Sequence, residues 1–578
     1  MDHPTETHSM TLDHQVNPSS CGAPGDQPQR EAPPSSAGCS WLVVLAAAAA
    51  SLSGLMLGYE MGLTSGALLQ LRSLLSLSCL EQELLVSSLL LGALLMSLGG
   101  GYFLDRYGRR RSMLLSAGLV VGGTVVLLAT TSLAVLALGR AVVGMGTALS
   151  GTAACLYIAE IAPRERRGLL VTLYELMVVL GVLLGFGCSY GFSSVPQGWR
   201  FTFGLVLPAA LLQGAALLLL PPSPRFLVAR GDCKAARAVL TRLRCGAVEK
   251  MEAELRDIQA GLKEESEHGF LELFSTKANL RSRLLTGVAL VFLQQTTGQP
   301  NILSYASPLL RSVGFHSDDA ATFASIGFGV VKVAGTIPAV LLVDRLGPKI
   351  FLCVGAVFMA LSLITLGVLT LHSHTHLTSL CQSPSGLNIS NKGWDSNHTS
   401  PGLDYFPMTT PFPSESQWNS SSSESAAELV MGALRTRVEG DGIGLEDQRS
   451  PADMSPSLKW VSLISLLVYV AAFSFSLGPM VYVVLSEIFP TGVRGKAVSV
   501  VSAVNWATNL LISMTFLSVT ETIGVPNVMF LYAVMSFVLL VFVILFVPET
   551  KGRTLEQISK ELAMKKPLKG TFCRRGRP

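Results

Sequence analysis

An all-α membrane protein, with twelve transmembrane helices in two six-helix bundles, is the fold class this sequence predicts. Three observations predict it. Of 578 residues, 49% are hydrophobic and only 14% charged, too apolar a balance for an ordinary soluble domain. Twelve apolar segments are long enough to cross a hydrocarbon core of about 30 Å: residues 41–71, 83–104, 113–131, 133–158, 168–190, 201–220, 284–306, 320–343, 350–371, 458–485, 497–519 and 526–547. Finally, three short signals occur twice in the same order. Asp105-Arg106-Tyr107-Gly108-Arg109-Arg110 returns as Asp344-Arg345-Leu346-Gly347-Pro348-Lys349. Glu160-Ile161-Ala162-Pro163 with Arg167-Gly168 returns as Glu487-Ile488-Phe489-Pro490 with Arg494-Gly495, and Pro221-Pro222-Ser223 returns as Pro548-Glu549-Thr550. The last two pairs share one offset and the first pair has a shorter one, so the second half carries an insertion. The polar stretch 372–457 supplies it. Two same-order halves of six segments place a solute site between the halves.

The segments are rich in Leu and Ala and lack the alternation of a membrane barrel, so in lipid they satisfy their backbone as helices. The chain divides into a tail over 1–40, a first bundle over 41–220, a linker with short helices over 221–283, a second bundle over 284–548 that holds the 372–457 insertion, and a tail over 549–578. Residues 1–40 are polar and Pro-rich without the core of a cleaved signal, so segment one serves as an uncleaved anchor.

Lys and Arg in the short loops set the orientation. Arg106, Arg109, Arg110 and Arg111, then Arg164, Arg166 and Arg167, then Arg345 and Lys349, then Arg494 and Lys496 fall on one side; the other holds little beyond Arg72, Arg200 and Arg311. The basic side is expected to be cytoplasmic, with both termini and the linker. The insertion then faces outward, where its sequons at Asn388, Asn397 and Asn419 are open to N-glycosylation; its Ser, Pro and Asn content reads as a disordered, sugar-coated loop. The ten cysteines show no pairing framework. Only Cys79 and Cys381 reach the outer side, where a disulfide between them is open.

The basic signals have two readings. As orientation marks they need only charge. As an inner gate, Asp105, Arg109, Arg110, Glu160 and Arg167 in one half, with Asp344, Arg345, Glu487 and Arg494 in the other, make charge-assisted bonds that hold the halves together when the cavity opens outward. The linker reads as a solvated tether or as a latch beneath the bundle, with helical stretches at Cys233–Arg244 and Val248–Glu264.

The duplicated Asp-Arg-x-Gly run, Pro222-Ser223-Pro224-Arg225 after segment six, Pro548-Glu549-Thr550-Lys551-Gly552 after segment twelve, Gln294-Gln295-x-x-Gly298 and Asn505-Trp506 together resemble the sugar porter family of the major facilitator superfamily, over about residues 41–560. The short first loop and long glycosylatable ninth loop resemble the third class of facilitative glucose transporters. The resemblance implies alternating access to a central hexose site, no catalysed bond change, and residence in the plasma membrane, intracellular vesicles and perinuclear endomembranes.

Polar side chains inside the membrane are costly and invite a functional reading. Gln294 and Gln295 lie near mid-bilayer in segment seven and point about 100° apart. Their amides supply the donors and acceptors a neutral polyol needs, and the resemblance places both on the hexose. It also places Asn505 and Trp506 at the cavity, although Trp506 has a purely structural reading too. Other positions depart from the family pattern. Glu175 stands where Gln is usual, Lys332 where Asn is usual, and Gln299-Pro300-Asn301 shifts an Asn by one, so that either Asn301 or Gln299 takes the contact. Val481-Tyr482 replaces Pro-Trp, so Tyr482 can cap the sugar and segment ten is expected to stay stiff.

Glu60 bears on coupling, because family uniporters carry Asn there and proton symporters Asp. It lies about 28 Å up its helix from Trp41, and Arg140 lies about 12 Å down from Ser132, so the two share a level. They read either as a proton- or sodium-coupling pair or as a fixed structural ion pair. No cofactor, resident metal or nucleic acid is expected, and the carrier is expected to act as a monomer. An enzyme would need acids, His or Cys gathered at one membrane face, and the alternating His372, His374 and His376 reads as a chance cluster more readily than a metal tract. A non-transporting sugar sensor, or a carrier of another polyol or organic solute such as a drug–proton antiporter, is the rival class.

Overall fold

The structure, a computed structural model, describes residues 41–163, 166–244, 248–267, 270–275, 279–312, 315, 317–372, 456–551 and 562. The sequons at Asn388, Asn397 and Asn419, Cys381, the 1–40 tail and the side chains of Asp344 and Arg345 lie outside that description. Six spans come first: α1 (Trp41–Leu75), α2 (Cys79–Tyr107), α3 (Arg109–Ala129), α4 (Leu133–Ile161), α5 (Arg167–Gly191), and α6 (Gly198–Gly204) continued by α7 (Val206–Leu219). The linker forms α8 (Pro224–Ala229), α9 (Cys233–Leu243), α10 (Val248–Glu267) and a 3₁₀ turn over Phe270–Phe274. Then follow α11 (Leu280–Thr296), α12 (Gln299–Ser304), α13 (Ala306–Ser312), α14 (Asp318–Leu346), α15 (Pro348–His372), α16 (Pro456–Phe475), α17 (Leu477–Ile488), α18 (Thr491–Ile523) and α19 (Val525–Phe546).

Among the described residues, eleven helical stretches are long and apolar enough to cross a membrane. The seventh apolar segment is missing from that set because it is broken into α11, α12 and α13. Gly298 sits at φ +92° at the first break, and Pro300 follows in the first turn of α12, where a missing N–H costs nothing. Segment ten corrects the expected stiffness. It breaks at Ser476, between α16 and α17, even though position 481 is Val. Pro479 supplies the reason: it lacks the N–H that would bond the carbonyl of Phe475, and its ring crowds that carbonyl.

The repeated Asp-Arg-x-Gly run now has a structural account. Gly108 ends α2 and opens α3 at φ +82°, and Gly347 joins α14 to α15 at φ +86°, a region that favours glycine. Two residues on, Arg110 donates to the carbonyls of Leu217 and Leu218 at 2.8 and 3.0 Å. Its counterpart Lys349 donates to those of Ile544 and Val547 at 3.0 and 2.8 Å. Each cation therefore caps the C-terminal end of the last span of its half, where carbonyls lack helical partners.

Within the first six spans α1 and α5 pack backbone to backbone. A Cβ on Gly58 would fall 1.9 Å from the Val178 carbonyl oxygen, and one on Gly181 would fall 2.2 Å from that of Leu55. Small residues here let two backbones touch, the usual source of association between helices in lipid. At the linker, Arg244 donates to the Ile161 carbonyl at 2.9 Å and pairs with Glu254 at 2.6 Å, while α10 packs on α18. Cys79 and Cys233 are each in a disulfide, whereas Cys155, Cys188 and Cys353 are free thiols. The Cys233 bond departs from the expectation that cysteines on the basic side are unpaired.

Candidate functional site

The breaks in segments seven and ten meet. Gln294, in the last turn of α11, donates from Nε2 to the carbonyl of Leu477 at 2.8 Å, one residue past the break at Ser476. Its Oε1 is buried without a partner. Gln295 donates from Nε2 to Oδ1 of Asn505 in α18 in a short hydrogen bond. That arrangement leaves the Gln295 carbonyl oxygen and the Asn505 amide N–H groups for a ligand, one acceptor and one set of donors side by side. Gly298 permits the close fit, since a Cβ there would fall 2.3 Å from the Tyr532 ring.

Asn505 has a neighbour the sequence reading passed over. Asn509 is one helical turn further along α18 and therefore on the same face. It is buried, with an unpartnered Oδ1. An amide four residues from a suspected site amide, inside a membrane helix, was the available signal. Trp506 is partly buried beside them. Asn301 is placed differently: fully buried, it donates to the carbonyl of Ile512 at 3.1 Å and to the hydroxyl of Tyr532 at 2.9 Å. Its amide hydrogens fasten α12 to α18 and α19.

Two charges meet at the seam between α5 and α14. Glu175 of α5 and Lys332 of α14 interact electrostatically across the join between the first six and last six spans, where α5 packs on α14. The Lys332 ammonium lies 5.8 Å from the centre of the Phe473 ring, within the range of a cation–π contact. Tyr482 lies close enough to Glu175 to feel its charge, yet is 47% exposed.

Glu60 and Arg140 come together as their depths require. Arg140 Nη1 lies 3.9 Å from Glu60 Oε2, with both side chains all but fully buried. The contact is loose. Neither carboxylate oxygen of Glu60 accepts a hydrogen bond, while Arg140 Nη2 donates to Thr64 Oγ1 at 2.9 Å and the guanidinium lies 5.5 Å from the centre of the Phe203 ring.

On the basic side, Arg109 bonds Glu160 at 3.0 Å and approaches Asp105 at 3.8 Å, and Glu160 also accepts a short hydrogen bond from Ser223. Arg494 donates to the Phe489 carbonyl through two nitrogens, each at 3.2 Å. Glu160 thus pairs with Arg109 at the start of α3, and both of those Arg494 bonds go to backbone. Arg167 is exposed at the start of α5, and Glu487 is partly buried near the end of α17. On the opposite side, contacts join the two halves directly: Ser65 of α1 bonds Ser307 of α13, and Glu83 of α2 bonds Ser518 of α18.

The sequence model of the family described as sugar (and other) transporter matches residues 46–385 and 443–562. The chain belongs to that family. Members of it are multi-pass membrane carriers that move a sugar without changing its bonds. The chain is 57% identical over 554 residues to facilitated glucose transporter member 12 of Danio rerio, covering 92% of this chain and 90% of that one. It is 48% identical over 562 residues to the member 12 protein of Homo sapiens, covering 94% and 88%. Among solved structures it resembles the E. coli proton:xylose symporter XylE bound to 6-bromo-6-deoxy-D-glucose, at 25% identity and a TM-score of 0.65, over 91% of this chain and 100% of that one. An inward-open XylE structure gives 25% identity and 0.64, over 90% and 99%. The fold is that of the major facilitator superfamily.

Proposed function

We propose that this carrier moves hexose, glucose foremost, by alternating access between two six-helix halves. The observation that carries the reading is the amide cluster of Gln294, Gln295 and Asn505 at the meeting of two broken helices. The glucose in the names of the member 12 relatives and the bromodeoxyglucose in the XylE title are in line with it. The basic loops face the cytoplasm, so the structure is a state closed to the outside. The Arg109–Glu160 pair, with Asp344, Arg345, Glu487 and Arg494, closes the inner side when the cavity opens outward. Counterflow of labelled glucose in proteoliposomes tests the reading: accumulation is expected, and Gln295→Leu slows it by on the order of hundredfold. Binding without counterflow would mean a sensor.

Glu60 and Arg140 favour coupling to protons. A carboxylate without a hydrogen-bond donor, held only by a guanidinium at 3.9 Å, changes its proton occupancy with any motion that alters that separation. Acidifying the side from which sugar enters raises uptake in this reading, and sugar evokes an inward current. Uptake by Glu60→Gln loses the pH dependence. Equal pH profiles for this variant and the unsubstituted protein, with no sugar-evoked current, would remove coupling and leave a uniporter.

A further inference from the structure

We propose that Glu83 is a positioning residue of the transport cycle: with Ser518 it forms a latch that sets how often the side away from the basic loops opens. The proposal rests on the alternating-access reading and names a device within it. Glu83 lies in the second turn of α2 and is 2% exposed. Its two carboxylate oxygens both point to the other half of the molecule. Oε1 accepts from the backbone N–H of Ser518 at 2.8 Å, and Oε2 accepts from the Ser518 hydroxyl at 2.7 Å. Among the described residues, no Lys or Arg forms an ion pair with it.

A buried carboxylate without a counter-ion is unfavourable unless hydrogen bonds replace its water. Here the replacement comes wholly from α18, so it exists only while α2 and α18 touch. When they part, water takes over both bonds. Glu83 is therefore satisfied in either state, and the number of donors that Ser518 offers decides the balance between them. A second polar contact accompanies it. Ser65 donates to the Ser307 hydroxyl at 2.8 Å and accepts from the Ser307 backbone N–H at 2.7 Å. Both contacts break into groups that water readily solvates, which suits a seal that must open and close.

The logic gives opposite signs for two substitutions. Ser518→Ala leaves a buried acceptor short of a donor in the closed state only, so it shifts the protein toward the open state. Glu83→Met removes the carboxylate and its need for donors, so it favours closure, as replacement of buried charge by apolar volume does elsewhere.

The test uses the full chain in proteoliposomes with Ala67→Cys, a buried site in the same half of α1 as Ser65. An impermeant maleimide is added on the side opposite the basic loops. Ser518→Ala is expected to raise the labelling rate on the order of tenfold and to change the ratio of entry to exit KM. Adding Glu83→Met to it returns the rate to that of Ala67→Cys alone, or below. Should Ser518→Ala not fold, Glu83→Gln, which turns a donor toward donors, carries the same expectation of faster labelling. Unchanged labelling and an unchanged KM ratio in Ser518→Ala, or no reversal in the double variant, overturns the latch. Labelling needs no sugar, so absence of glucose counterflow in the unsubstituted protein would remove the transport reading without deciding this one.

Discussion

Arg110 and Lys349 occupy the same place in the repeated Asp-Arg-x-Gly run, and each hydrogen-bonds two carbonyls at the end of the last span of its own half. The two halves part company at mid-membrane. The first presents charge, with Glu60, Arg140 and Glu175. The second presents amides, with Gln294, Gln295, Asn505 and Asn509, and the single cation Lys332. The contrast separates two demands on the same scaffold. At helix ends every span faces the same problem of unsatisfied carbonyls, so the same solution recurs. At the centre no such shared problem exists, and the side chains diverge with the work that the proposed function gives each half.

The sharpest test of that separation compares two buried glutamines. Gln295 of the second half shares its amide with Asn505, whereas Gln213 of the first donates to Ser53 Oγ at 2.5 Å deep among α7 and α1. Gln295→Leu is expected to lower kcat/KM for glucose by on the order of hundredfold, because it removes an amide that the proposed site offers the sugar. Gln213→Leu should leave KM unchanged and lower stability by about 1–3 kcal/mol. Transport kinetics and detergent melting curves on both variants decide it. Similar profiles for the two would erase the distinction between scaffold and site.

A second comparison concerns the repeated glycines. Alanine at either position meets a backbone region open essentially to glycine alone, which costs about 1–3 kcal/mol. At Gly108 the new Cβ also falls 2.8 Å from the Phe226 ring, while at Gly347 it meets the carboxylate end of Glu549 at 2.8 Å and Lys551 Cβ at 3.0 Å. A flexible carboxylate moves aside more readily than a packed ring, so Gly108→Ala should lower Tm further than Gly347→Ala. Equal shifts would show that the turn conformation dominates at both.

Most of the fold was legible because lipid admits few solutions: an apolar run of sufficient length is a helix, and repeated signals imply repeated spans. The breaks were less so. Averaged hydropathy cannot see Gly298 or Ser476, although Pro300 and Pro479 mark both in the sequence. The Gln294–Gln295–Asn505 grouping was accessible from polar residues in apolar surroundings, but Asn509 was passed over although the same rule covers it. Glu83 was missed for a different reason. It stands at the first residue of an apolar run, where an acid reads as a boundary in water, and only the packing of α2 on α18 shows it buried. The pairing of Glu160 with Arg109 was equally hidden, since the two residues lie 51 positions apart and only tertiary contact joins them.

The smallest expected effects lie at the caps themselves. Arg110→Ala and Lys349→Ala each remove a cation with two donors from the C-terminal end of a helix, where such contacts contribute about 1 kcal/mol. The four distances match closely, at 2.8 and 3.0 Å in each half, so the two losses should agree within the error of a melting curve. Arg110→Lys and Lys349→Arg should both retain most of the stability, because either head group reaches two carbonyls. A markedly larger loss at Arg110 would mean that it holds more than the end of α7 and that the repeat is less symmetric than its hydrogen bonds. Equal losses with unchanged glucose KM would place the repeated run in the scaffold and leave gating to Glu160, its partner Arg109, and their counterparts in the second half.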